Sequence, residues 1–216
     1  QAADLLEQSS ESLWMQGRFA TLRGWLALLP DRIIQQRPRL VLALAWTHVL
    51  TDAPTATITA LLANAEDVIL QAGASEQGEP SAELHGILAA IRAIYHSKQE
   101  DAAGVIVAAK QALASLPPQL GHWRSVALMA LGFAYAMTGA ARPAQETLTA
   151  AIQLCQQIGN RYSALVATMS LARTHLVQGQ LRLAATLYTQ GLTQATDQGL
   201  AQLPVVAQAQ INLGRL

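Results

Sequence analysis

Charge is what this chain has least of. Charged residues make up 13% of the 216 and aromatic ones 5%, against 51% apolar residues, whereas a typical domain is about one-quarter charged. An apolar share of that size excludes intrinsic disorder. Positive charge is not in surplus either: 12 Arg and 2 Lys, spread along the chain, are matched by 14 Asp and Glu. A neutral chain lacks the electrostatic footprint of a domain that holds a nucleic-acid backbone, so no nucleic-acid contact is expected from this segment.

The one cysteine, Cys155, cannot form an internal disulfide. Neither a cationic start followed by an apolar stretch nor an acyl-anchor motif is present, and a cytoplasmic setting is expected. One long apolar run without charge, Ser125 to Ala141, is interrupted by Gly139 and closed by Arg142-Pro143. A spanning helix needs roughly 20 apolar residues, so the run is read as a buried helix and no membrane partner is expected.

Catalytic and metal motifs are also missing. His48, His85, His96, His122 and His175 show no His-Glu-x-x-His spacing, and there is no Cys-x-x-Cys pair, so each histidine is read as structural. No Gly-x-Ser-x-Gly elbow occurs, and Cys155 lies in an Ala/Leu-rich stretch where a thiol behaves as a small buried hydrophobe. Neither Lys98 nor Lys110 follows a glycine, which excludes a phosphate-binding loop. No enzyme activity, metal or cofactor is expected of this segment.

What the chain does have is alanine and leucine: 41 and 34 of them, about a third of the sequence. These lead the helix propensity scale. Glycines then fall at Gly139, Gly159, Gly179 and Gly199, every twentieth residue. A glycine just past the last helical residue is a common helix stop, because it takes the left-handed conformation without steric penalty. Helices of about 16 residues joined by tight turns imply a solenoid of antiparallel helical hairpins.

The hairpin is the repeat unit, of about 40 residues. Sliding the sequence by 40 superposes Met129, Leu131, Gly139, Arg142, Ala144 and Thr149 on Met169, Leu171, Gly179, Arg182, Ala184 and Thr189. Gly132 then faces Ala172, and Tyr135 meets His175. Small residues at Gly132/Ala172 and Ala144/Ala184 let paired helices approach closely, while Leu131/Leu171 and Leu148/Tyr188 fill the space beside them. Repeats are assigned to 82–118, 123–159 and 163–199, with a partial one at 203–216 and tryptophan-rich hairpins over 1–72. Some eleven helices are expected in one domain over 1–216. The segment from Gly73 to Ser81 is read as a connection, Pro54 and Pro80 as lying at or near helix starts, and Pro30 to Pro38 as turn-rich.

The spacing Leu131-Gly132-x-x-Tyr135 with Ala144 and Ala151 resembles the tetratricopeptide repeat, although the unit exceeds its usual length and HEAT-like repeats stay open. The opening is more distinctive: Trp14-x-x-Gly17, then Trp25-Leu26-x-x-Leu29-Pro30, then Arg37-Pro38-x-Leu40-x-Leu42-x-x-Ala45-Trp46. This arrangement resembles the start of the helical sensor region of MalT-like regulators, large ATP-dependent transcription activators of LuxR type. The resemblance implies an all-α, right-handed superhelix that binds a small-molecule inducer and takes part in self-association. ATP binding and DNA binding belong, on that resemblance, to modules outside this segment. The chain starts at Gln1 and stops at Leu216 inside an apolar helical pattern, and is read as a piece of a longer polypeptide. A constitutive protein-interaction scaffold without a small-molecule ligand is the alternative.

Trp14, Trp25 and Trp46 are read as core, given how consistently large aromatics are buried; Trp123, beside Gly121-His122, is left open. In tetratricopeptide hairpins the residue after the small position of the first helix faces the concave groove. That slot holds Arg92, Phe133, Arg173 and Arg215. Arg forks bind carboxylate, phosphate or sugar hydroxyls, so these arginines are expected to meet an anionic or polyhydroxyl ligand or an acidic peptide, or else to be solvated or ion-paired. Met129, Phe133, Met169 and Leu176 give the groove an apolar lining, unlike the Lys/Asn clamp of chaperone-binding tetratricopeptide domains. Such a lining suits an amphipathic effector or a partner helix.

Overall fold

The computed structural model describes residues 2–15, 18–51, 53–73 and 81–216, the side chain of Ser81 apart. Gln16 and Gly17 of the tryptophan-rich opening, Pro80 and the rest of the 74–80 connection lie outside the described residues. Within them the chain is all-helical, with twelve helices: α1 (Ala2–Met15), α2 (Phe19–Leu26), α3 (Asp31–Gln35), α4 (Pro38–Leu50), α5 (Thr55–Gly73), α6 (Ser81–Lys98), α7 (Ala102–Ser115), α8 (Gly121–Met137), α9 (Ala141–Gln157), α10 (Arg161–Val177), α11 (Leu181–Asp197) and α12 (Pro204–Leu213). The helix beyond the expected eleven is α3, a five-residue helix in the segment read as turn-rich, started by the Pro30 carbonyl, which accepts from Ile33 N–H at 2.8 Å.

Helices α8 and α9 are each 17 residues long, and α10 and α11 repeat them with every boundary displaced by 40. The stops are local. Gly139, Gly159, Gly179 and Gly199 have φ between +70° and +75°, and after each the next N–H returns to a helix carbonyl: Ala140 to Tyr135, Asn160 to Cys155, Gln180 to His175, Leu200 to Ala195, at 2.8–3.0 Å. Those bonds satisfy carbonyls the helix end would leave bare. Starts are equally local: Asp101 accepts from Gly104 N–H at 2.9 Å, and Asn160 from Ser163 N–H at 3.0 Å. Pro38 and Pro204 occupy first-turn positions, where no N–H is needed.

From α4 onward the helices form two layers. Each packs on its chain neighbours, and the even-numbered ones also touch one another in series, α4 on α6, α6 on α8, α8 on α10 and α10 on α12. The even helices therefore form the tighter, inner layer of the solenoid, and the odd ones splay outside it. Fully buried Leu148 and Tyr188 fill the equivalent place in the two 40-residue hairpins, and burying side chains of this kind stabilises by about 1.5–3 kcal/mol each. Among the described residues no helix is long and apolar enough to cross a membrane, and no group of three or more His, Cys, Asp or Glu is placed to hold a metal ion.

The N-terminal helices do not simply prolong the stack. Trp14 of α1 lies 5.7 Å from Trp46 of α4 and 5.4 Å from Trp123 of α8, ring centre to ring centre, and Trp46 lies 5.4 Å from Trp123. Phe19 of α2 meets Tyr162 of α10 edge to face at 6.5 Å. The first two helices thus cover the starting ends of α8 and α10 and leave the far ends open. Trp14, Trp46 and Trp123 are all buried, so the residue left open joins the core. Trp25 is corrected in the other direction: 46% exposed, it stands on the rim of a shallow apolar groove with Leu5 and Leu28.

Candidate ligand groove

At the open ends of α8 and α10 lies a cavity of about 420 Å³, within the roughly 300–1,000 Å³ usual for small-molecule sites. It exists because two helix stripes face each other. From α8 come Phe133, Ala136 and Met137, and from α10 Ser170, Arg173, Thr174 and Val177, positions three and four apart that share a helix face. Ser97, at the end of α6, and Gln178, at the end of α10, close it. The wall is largely apolar, and Arg173 is the one formally charged residue among the described lining residues.

The expected groove residues separate on placement. Phe133, half-buried, and Arg173, exposed, are brought together in this cavity. Met129 and Met169 are not with them. Met129 is 7% exposed and packs with Ala151 and Ala167. Met169, 3% exposed, lies under α11, where Gly191 leaves room for it: a Cβ there would stand 2.7 Å from the Met169 Cε. Leu176 is half-buried against the core around Met169 and Tyr188. Arg92 is spoken for by Glu66 of the preceding helix, Nη2 to Oε2 2.7 Å, and that guanidinium holds the Glu66 carboxyl below its usual range. Arg215 is exposed beyond the end of α12, whose cap is Gly214.

Sequence reasoning missed Ser97, Ser170, Thr174 and Gln178. The 40-residue offset combined with the stripe rule would have found two of them, because Ser170 and Thr174 are the neighbours of Arg173 at three before and one after on the face that α10 turns to Phe133.

Hydrogen-bonding capacity in the cavity is uneven. The Ser170 and Thr174 hydroxyls donate to carbonyls of their own helix, at 2.8 and 2.9 Å, and so offer only acceptors. The Gln178 carbonyl accepts from the Gln145 amide at 2.7 Å, which leaves its own NH₂ uncommitted. Arg173 has no carboxylate partner among the described residues. It lies close enough to act on the buried Tyr188 phenol, whose pKa burial pushes up while the Asn212 amide and the arginine oppose that rise. Tyr188 Oη accepts from Asn212 Nδ2 at 2.9 Å, so the arginine stands on a fixed floor.

The other candidate positions are structural. His175, in the slot of Tyr135, is tied to Gln145 and Gln180. The Cys155 thiol is fully buried, and desolvation raises its pKa, which disfavours the reactive thiolate. The indole N–H groups of Trp14 and Trp46 are buried without a partner, and both rings line, with Trp123 and Arg39, a second, smaller cavity of about 230 Å³.

Residues 86–216 match the family described as the MalT-like TPR region. In fold, the chain is similar to the crystal structure of TTC0263, a thermophilic TPR protein in Thermus thermophilus, with a TM-score of 0.64 over 98% of each chain at 16% identity. At that identity the likeness concerns the fold alone. No curated protein matches the chain.

Proposed function

The chain belongs to the MalT-like TPR region family, and from that premise we propose that it is the effector-sensing and interaction region of a LuxR-type transcription activator, with the α8–α10 groove as the seat of the inducer. One observation carries the reading: Phe133 and Arg173, equivalent positions of successive hairpins, converge on a cavity of small-molecule size instead of being covered by the helices of the outer layer.

The mechanism is a population shift. A ligand between the far ends of α8 and α10 fixes their separation, and it favours whichever curvature of the stack binds it better. The starting ends of the same two helices hold Trp14 and Phe19 through Trp123 and Tyr162. A change in the α8–α10 angle therefore reaches α1 and α2, and with them the surfaces available for self-association.

Thermal denaturation with a panel of metabolites tests this. A compound that raises Tm for the wild type and not for Phe133→Ala supports a sensor. Stabilisation by protein partners alone supports the constitutive scaffold instead. ATP is expected to leave Tm unchanged, since nucleotide binding is assigned to a module outside this segment.

A further inference from the structure

Net neutrality hides a division of charge. Residues 1–101 hold 12 of the 14 carboxylates and 7 of the 14 Lys and Arg, whereas residues 102–216 hold 2 carboxylates, Glu146 and Asp197, and the other 7 cations. The two parts carry net charges of −5 and +5. In the second part Glu146 is engaged by Arg142 at 2.8 Å. The groove lies almost wholly in the positive part, and no Asp or Glu stands among its described lining residues.

Among the described residues, three donors in the groove lack an acceptor: the Arg173 guanidinium, the Gln178 NH₂ and the Ser97 hydroxyl. Phe133, Met137 and Val177 form the apolar part of the wall, and the Ser170 and Thr174 hydroxyls, which donate within their own helix, add acceptors only. Arg92, one hairpin earlier, is the contrasting case, because in the acidic part of the chain the same slot found Glu66 at 2.7 Å. Uncommitted donors around one cation, in a segment with a positive field, select an acceptor-only head group, and the planar fork of Arg matches a carboxylate best. A sugar or another polyhydroxyl compound would find acceptors in the Ser170 and Thr174 hydroxyls but would leave the Arg173 charge without a counter-charge.

We propose that the groove takes an organic carboxylate with an apolar body, an aliphatic or aryl-alkyl acid, its head on Arg173, Gln178 and Ser97 and its body along Phe133, Met137 and Val177. The proposal rests on the reading of this groove as the effector seat. A cavity of about 420 Å³ admits a small acid and excludes a folded partner.

Calorimetric titration of the whole chain at low salt with octanoate, octanamide and acetate tests it. Octanoate is expected to bind. Octanamide, with the same body and no charge, and acetate, with the charge and no body, are each expected to bind at least about tenfold more weakly. Arg173→Ala is expected to cost octanoate about tenfold or more, and added salt to weaken it. Arg182→Ala, an exposed cation outside the groove, is expected to change nothing. Arg173 is itself exposed, so the variant keeps its fold, as circular dichroism will report. Octanamide binding as tightly as octanoate, equal octanoate binding by Arg173→Ala, or no octanoate binding at about 1 mM would each overturn the proposal. A neutral metabolite whose binding is lost in Phe133→Ala but kept in Arg173→Ala overturns it while leaving the effector reading intact. Failure of every panel compound together with octanoate removes both.

Discussion

Gly132 of α8 and Leu148 of α9 pack so closely that a Cβ on the glycine would stand 2.7 Å from Leu148 Cγ and 3.4 Å from the Leu148 backbone nitrogen. Leu148 Cδ2 would also stand at 2.8 Å, and Leu148 is fully buried, so Gly132→Ala forces the leucine to repack or the hairpin to open. The expected loss is about 1–3 kcal/mol, measured by urea denaturation. Leu148→Ala alone loses about 2–5 kcal/mol. The double variant is expected to lose less than the sum, because each change relieves the other; strict additivity would show that the two helices do not meet there.

The left-handed turn positions make a prediction with two signs. Nothing lies within 4 Å of a Cβ built on Gly159, so Gly159→Ala is penalised by backbone strain only, about 1–2 kcal/mol. Between α6 and α7 the same turn is made by Glu100, a non-glycine residue at φ 57°, and Asp101 N–H again returns to the His96 carbonyl, at 3.0 Å. Glu100→Gly is therefore expected to stabilise by about 1 kcal/mol. A thermal shift of the same sign in both variants would contradict this account of the turns.

Trp123 and Trp25 should separate sharply. Trp123, 5% exposed, joins α8 to Trp14 and Trp46, and truncation to Ala is expected to lose about 3–5 kcal/mol. Trp25, 46% exposed, is expected to lose less than about 1 kcal/mol. Fluorescence-monitored unfolding of the two variants checks the ranking.

Acid should loosen the start of α7. The Gly104 N–H, together with His96, holds the Asp101 carboxyl below its usual range. A carboxylate whose folded pKa is depressed contributes stability above its unfolded value, near 3.9, and loses that contribution as pH falls through the folded value. Asp101→Asn keeps an oxygen for the cap but has nothing to titrate. Its Tm is expected to fall less steeply than that of the wild type below about pH 4, as a pair of pH-dependent melting curves will show.

How legible all this was in the sequence depends on the range of the interaction concerned. The turns could be read because a left-handed glycine answers only to its own backbone, and the 20-residue spacing of Gly139 to Gly199 carries the helix lengths with it. The small position at Gly132 could be read because its partner is the next helix. The arginine column was legible only in part. Whether a slot residue is free depends on its neighbour across the groove, and nothing local says that Arg92 has Glu66 while Arg173 has no such carboxylate among the described residues. The methionines misled because Met129 and Met169 share the apolar character of a groove lining, yet small residues opposite them, Ala151 and Gly191, admit them to the core. The meeting of Trp14, Trp46 and Trp123 spans more than a hundred residues of sequence, beyond any local pattern.

The far ends of α8 and α10 are the proposed seat of a ligand on this chain. Hydrogen–deuterium exchange, recorded with and without a ligand that stabilises the protein, tests that most directly. Slowed exchange is expected to concentrate in residues 133–141 and 170–178, to be absent from Arg173→Ala when the ligand is a carboxylate, and to be smaller in α1 and α2. Protection confined to the outer helices α9 and α11, or to the Trp25 groove, with residues 170–178 unaltered, would contradict it.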